Sequence, residues 1–125
     1  MATSFDPDLL RRLRNVEEVE IGTRAGPGAP AHRTIIWLVV DDHGRVLVRT
    51  YLGPGSRWYR EAISHPACVL HLNGDAVPVT AVAAQDAERV SACSRGYLAK
   101  YRGHRATPAM LHETNLATTL ELLPR

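Results

Sequence analysis

The chain has 125 residues, of which 45% are hydrophobic and 22% charged, and its formal net charge is +2. These values are typical of one folded domain, 1–125, and they exclude a disordered tail. No polybasic run of the kind that binds nucleic acid occurs. The longest apolar run, residues 35–40, is much shorter than the roughly 20 residues that span a bilayer, so we expect no membrane segment. The N-terminus lacks the regions of a signal peptide, which predicts a cytoplasmic protein.

The first 51 residues predict one helix and three strands. Asp6 caps a short helix that has Pro7 at its first position. Residues 17–24 alternate between apolar and polar side chains, as in a strand with one wet face. Residues 34–40 are nearly all β-branched or aromatic, as expected of a strand buried on both faces, and residues 45–51 alternate. The turn 41–44 joins these two strands as a hairpin.

The loop 25–32, with two glycines and two prolines, lies between the first two strands. It is either a plain connector or a flexible cover over a ligand beside Arg24 and Arg33. The residues themselves leave both interpretations open.

The second half predicts a helix, a hairpin, another helix and a last strand. Ser56 caps a helix over 57–64, and the hairpin pairs residues 68–73 with 76–84. Pro78 cannot donate to a ladder, which places its strand at an edge or at a bulge. A helix follows over 86–102, in which Gly96 indicates close packing. The chain then forms a short helical turn at 107–111 and a strand over 115–123.

Positive charge is concentrated between residues 23 and 60, which indicates an anionic small ligand. Only two aspartates accompany six arginines in this stretch: Arg24, Arg33, Arg45, Arg49, Arg57 and Arg60. Strand alternation places Arg49 on the face of Tyr51, near the loop that carries Ser56 and Arg57. The alternative for Arg49 is a surface ion pair with Glu18 or Glu20.

The N-terminus of the second predicted helix is a candidate anion site. Free amide groups, the Ser56 hydroxyl and the Arg57 guanidinium meet there. Trp58 lies in the first turn of this helix, either in the core or at the mouth of a pocket. The six histidines and two cysteines show no metal-ligand spacing, and no Walker or Rossmann glycine pattern occurs. The sequence therefore predicts no metal site and assigns no catalytic residue.

Four motifs carry a resemblance to a known family: Ile36-Trp37, Leu47-Val48-Arg49, Gly53 to Trp58, and Lys100-Tyr101. Together they resemble the bacterial domain-of-unknown-function family 2255 over most of the chain. More distantly, the order of elements and Trp58-Tyr59 followed by His65-Pro66 resemble the deazaflavin-dependent nitroreductase family. That resemblance implies an α+β fold, a split β-barrel of the flavin-binding type with about six mostly antiparallel strands and flanking helices.

The resemblance also implies a cofactor site. Its residues are Arg33, Arg49, Ser56 and Arg57 on a phosphate, Trp37 and Trp58 against the ring, and Thr34 and Tyr51 beside them. The chain would then be a flavin- or deazaflavin-dependent oxidoreductase that passes hydride from FMN or a deazaflavin coenzyme to a small organic substrate. The alternative is a barrel without cofactor that binds an anionic metabolite or acts on it without redox chemistry. In both cases we expect a homodimer, because such barrels complete their sites across a two-fold interface.

Overall fold

The computed structural model describes residues 4–125, and within them the chain forms seven strands and five helices. The strands are β1 (Val19–Thr23), β2 (His32–Ile36), β3 (Leu38–Val40), β4 (Val46–Val48), β5 (Ala67–Leu72), β6 (Asp75–Ala83) and β7 (Leu120–Pro124). The helices are α1 (Pro7–Asn15), α2 (Arg57–Ser64), α3 (Ala87–Lys100), α4 (Thr107–Met110) and α5 (Glu113–Leu116). None of these helices has the length and apolar character that crossing a bilayer requires.

All strand pairs are antiparallel, and the order across the sheet is β2-β1-β5-β6-β7-β4-β3. β2 and β3 therefore lie at opposite ends of this order, although only Trp37 separates them in the chain. The sheet must curve to bring its two ends together at Trp37, which gives the half-closed shape of a split barrel. The predicted fold class is confirmed, with seven strands instead of about six.

The predicted hairpin is wrong in both of its strands. The run 34–40 is divided between β2 and β3, because the chain exchanges one partner strand for another at Trp37. The β2 part is not buried on both faces, since Ile35 is 59% exposed. The second strand, predicted over 45–51, is limited to β4, whose Val46 and Val48 face the barrel core while Leu47 packs under α3. Hairpin pairing thus extends only over β3 and β4.

Two apolar clusters hold the molecule together. The larger fills the barrel between the strands, α1 and α2, and the smaller joins the outer face of β3 and β4 to α3. Gly96 lies at this second contact, where an added Cβ would be 2.8 Å from Val39 Cγ2. The close packing predicted for Gly96 is therefore present.

Three further expectations on the second half need correction. β6 is not an edge strand, because it pairs with both β5 and β7. Pro78 is tolerated there since it precedes the ladder with β7, and its carbonyl accepts from the Arg125 amide. The last strand begins at Leu120, because residues predicted to start it form α5. Ser56 does precede α2, but its side chain makes no capping hydrogen bond.

Candidate functional site

A cavity of about 320 Å³ lies beside the crossover from β2 to β3. Five of the eight predicted site residues line it: Thr34, Trp37, Arg49, Tyr51 and Trp58. They come from β2, the crossover, the segment after β4 and the start of α2, so the barrel brings together residues that are far apart in sequence. No residue of the predicted loop 25–32 lines this cavity, and the loop's role as a cover stays a prediction.

Both tryptophans form walls of the cavity and are largely buried, with exposures of 8% for Trp37 and 6% for Trp58. The Trp37 indole stacks on the Tyr101 ring, with centroids 4.0 Å apart and planes 2° from parallel. The His104 ring meets the same indole edge to face at 4.4 Å. Trp58 belongs to the barrel core and also reaches the cavity. Each indole is thus held by protein contacts before any ligand binds.

The rim of the cavity is apolar and exposed. Ile35, Tyr51 and Leu52 are 59%, 53% and 68% exposed, and all three line the cavity. Among residues 4–125, only two other large hydrophobic side chains are exposed, Ile63 and Leu98, and both are less exposed than these three. A contiguous exposed apolar patch is typical of a surface that a ligand or a partner covers.

Arg49 is only 1% exposed and lies at the cavity wall nearest α3 and α4. Its side chain makes four hydrogen bonds of 2.8–3.1 Å, and every acceptor is neutral: Thr119 Oγ1, Ser94 Oγ, the Met110 carbonyl and the Val90 carbonyl. The alternative considered for Arg49, a surface ion pair with Glu18 or Glu20, does not form. The guanidinium is also turned toward the helices and not toward Ser56. A buried cation with neutral partners favours negative charge in the adjoining cavity.

The other three predicted residues lie elsewhere. Arg33 faces the side of β2 opposite to Thr34 and donates from Nη2 to Glu20 Oε1 at 2.8 Å. Arg57 is exposed, and its Nη2 lies 3.4 Å from Thr34 Oγ1 at the mouth of the cavity. Ser56 Oγ is buried without a hydrogen-bond partner. The four-residue phosphate site is therefore not assembled, and only Arg57 and Ser56 adjoin one another.

A polar cluster that was not predicted from the sequence lies near Arg57. The Glu61 carboxylate is buried and accepts from Thr23 Oγ1 at 2.8 Å, while His32 Nδ1 lies 3.1 Å from both of its oxygens. Burial opposes ionisation of Glu61. The bonds from Thr23 and His32 and the nearby charge of Arg57 outweigh it, so the pKa of Glu61 lies below its ordinary value.

Two spacings in the sequence carry a signal for this cluster. Arg57 and Glu61 are four residues apart and share one face of α2, and His32 and Thr34 share one face of β2. Neither spacing shows that the two faces meet.

A wider cleft of about 530 Å³ between α1 and α3 is less suited to a small ligand. Several of its charged side chains already pair with each other, as Arg45 does with Asp41 and Glu88.

The curved antiparallel sheet, the flanking helices and a cavity at the strand crossover define this protein as a split β-barrel. Residues 9–122 match the model of a family described as uncharacterized protein conserved in bacteria, DUF2255, and the chain belongs to that family.

Solved structures share the fold at low identity. A conserved hypothetical protein, Rv2991 from Mycobacterium tuberculosis, is 14% identical with a TM-score of 0.70, over 98% of this chain and 81% of that one. HutZ from Vibrio cholerae, described as a heme storage protein, is 9% identical with a TM-score of 0.65, over 98% and 91%. An F420-H2 dependent reductase is 12% identical with a TM-score of 0.61, over 86% and 93%. No protein with a curated description matches the chain.

Proposed function

We propose that this protein is an oxidoreductase that holds the ring of FMN or a deazaflavin coenzyme in the cavity beside Trp37 and acts on a small organic substrate. The observation that carries the proposal is the convergence of five predicted site residues on one cavity with aromatic walls and a buried guanidinium. A pocket that is mostly apolar, with a few convergent polar groups, is the usual site for a planar ligand. The fold shared with an F420-H2 dependent reductase also supports it.

The cavity residues fit the ring of such a coenzyme better than its phosphate. The tryptophan walls suit an aromatic ring, and the Arg49 charge favours the anionic form that a reduced flavin adopts. Arg57 and the unpartnered Ser56 hydroxyl are the groups left for a phosphate. When bound, the coenzyme supplies the hydride. The residues of this chain bind and orient it and exclude water from the ring.

The exposed rim supports a homodimer within the same proposal. Ile35, Tyr51 and Leu52 expose apolar surface around the mouth, and a second copy of the chain would cover it. The site would then lie between two subunits. The two cysteines of the described residues are unpaired and buried, which suits the reducing cytoplasm in which we place this reaction.

A second candidate function is supported by the Arg33–Glu20 ion pair. With Arg33 engaged there and Trp37 stacked on Tyr101, fewer groups remain for a coenzyme than the resemblance implies. The cavity would then bind a small anionic metabolite without redox chemistry, and Arg49 would supply the attraction.

An absorption spectrum of the purified protein separates the two functions. A yellow colour, or a band near the visible that stays with the protein through gel filtration, is the result expected for the coenzyme-binding protein. A colourless protein whose spectrum and fluorescence ignore every added flavin would exclude the first function and favour the second.

A further inference from the structure

We propose that His32 is an acid–base group for the ligand of the cavity and that Glu61 is its positioning residue. The inference rests on the cavity as the binding site proposed above, but it does not depend on redox chemistry.

The Glu61 carboxylate orients the imidazole of His32. His32 Nδ1 lies 3.1 Å from both oxygens of Glu61, and Thr23 Oγ1 donates to the same carboxylate at 2.8 Å. The Glu61 side chain is 10% exposed and its lowered pKa keeps it ionised, so it can only accept. The hydrogen of the neutral ring must therefore be on Nδ1. Nε2 is left with its lone pair free.

The His32 side chain is accessible to solvent. The His32 side chain is 37% exposed, whereas its carboxylate partner is almost fully covered. A histidine held at one nitrogen by a buried carboxylate and open at the other has the arrangement of a general base.

The position of His32 relative to the cavity follows from β2 and α2. His32 and Thr34 lie on the same face of β2, and residues two apart on a strand are separated by about 7 Å. Thr34 lines the cavity and lies against Arg57, which is on the α2 face that also carries Glu61. His32 itself does not line the cavity; it lies about 7 Å along β2 from Thr34, which is at the mouth.

In the proposed step, Nε2 accepts the proton of a ligand hydroxyl or of a water. The O–H bond breaks, an N–H bond forms, and the electron pair stays on the oxygen. Glu61 stabilises the imidazolium that results. In the reverse direction the imidazolium returns the proton to an anion formed in the cavity. No oxidant or second reactant is needed.

Hydrolysis of p-nitrophenyl acetate tests the nitrogen directly. Nε2 takes a proton from the water that attacks the acetyl carbon, p-nitrophenolate leaves, and the imidazolium releases its proton to solvent, so that acetate and the neutral ring are formed. We expect His32→Ala to lower the rate constant at least about tenfold, within the range of acid–base contributions. We expect Glu61→Gln to lower it as well, because a neutral amide no longer stabilises the imidazolium that forms. Thr34→Phe, which adds bulk at the cavity mouth, should also slow it.

His43→Ala is the matched control, because His43 lies in the turn between β3 and β4, and its rate should equal that of the wild type. Wild-type rates in both His32→Ala and Glu61→Gln would overturn the proposal. An unchanged rate in Thr34→Phe would show that His32 does not act on a molecule in the cavity.

A measurement on the wild type covers the case in which a variant does not fold. Nitrogen-15 spectra of the His32 ring should show the hydrogen on Nδ1 at pH 8, and a hydrogen on Nε2 would refute the assignment. Flavin titrations report separately on the proposed function. An ester reaction at His32 in a protein that binds no flavin would keep this inference and reject the coenzyme.

Discussion

Replacing Arg49 with alanine should destabilise the protein strongly. The change removes four side-chain hydrogen bonds with a charged donor, each worth about 1.5–3 kcal/mol before desolvation is counted. Burial of the guanidinium offsets much of that sum. The remaining loss, together with the cavity left behind, is about 3–5 kcal/mol, the usual cost of breaking a buried charged network. Because small domains have about 5–15 kcal/mol in total, the variant should be close to unfolding.

Urea denaturation followed by circular dichroism measures this loss, and a thermal melt should show a fall of about 12–20 °C for a domain of this size. Arg49→Lys is the matched control. An ammonium has three donors and cannot reproduce the planar fork, so we expect an intermediate loss of about 1–3 kcal/mol. An Arg49→Ala protein within about 1 kcal/mol of the wild type would refute the claim that Arg49 holds α3 and α4 to the barrel.

Three further changes test other parts of the structure. Gly96→Ala places a methyl group 2.8 Å from Val39 and should lower the free energy of unfolding by about 1–3 kcal/mol, as measured in thermal unfolding. Ser91→Ala, on the exposed part of the same helix, is the control and should leave the stability unchanged. A Gly96→Ala protein that is more stable than the wild type would contradict the close contact. Folding lowers the pKa of Glu61 from its ordinary value of 4.5. The ionised carboxylate therefore stabilises the protein at pH values above 4.5, and this contribution is lost as the pH falls through the folded pKa. The free energy of unfolding should therefore decline as the pH is lowered from about 5, and it should decline less steeply in Glu61→Gln than in the wild type. Equal pH dependence in the two proteins would contradict this contribution of Glu61. Leu52→Glu places a charge in the exposed rim and should convert a dimer to a monomer in light scattering; a wild type that is already monomeric at micromolar concentration would end the dimer proposal.

Local features of the fold could be predicted because their causes lie within a few residues. The Asp6 carboxylate caps α1 by accepting from the Asp8 amide, and Gly44 has the positive φ of 78° that its turn needs. The alternation of β5 is present as well, with Cys68 and Leu70 buried. Each of these depends on the geometry of one element, which the sequence specifies directly.

The features that failed depend on partners far along the chain. The acceptors around Arg49 are 41 to 70 residues away, so strand alternation could place this side chain on the face of Tyr51 but could not show that α3 and α4 cover it. The division of the strand at Trp37 could not be predicted for the same reason, because a continuous apolar run does not show where a chain leaves one partner strand and pairs with another. In the candidate site, Thr34, Trp37 and Arg49 do converge, because the crossover of the barrel brings both ends of the sheet to one place.

The most direct test of the account is an equilibrium titration of FMN, and separately of a deazaflavin coenzyme, followed by tryptophan fluorescence. Both tryptophans of the chain line the cavity, so a ring bound there must change their emission. We expect saturable quenching by one of the two coenzymes, with a dissociation constant in the micromolar range, and weaker binding in Trp58→Phe. Emission that stays unchanged at concentrations well above that range, for both coenzymes and with a folded protein, would contradict it.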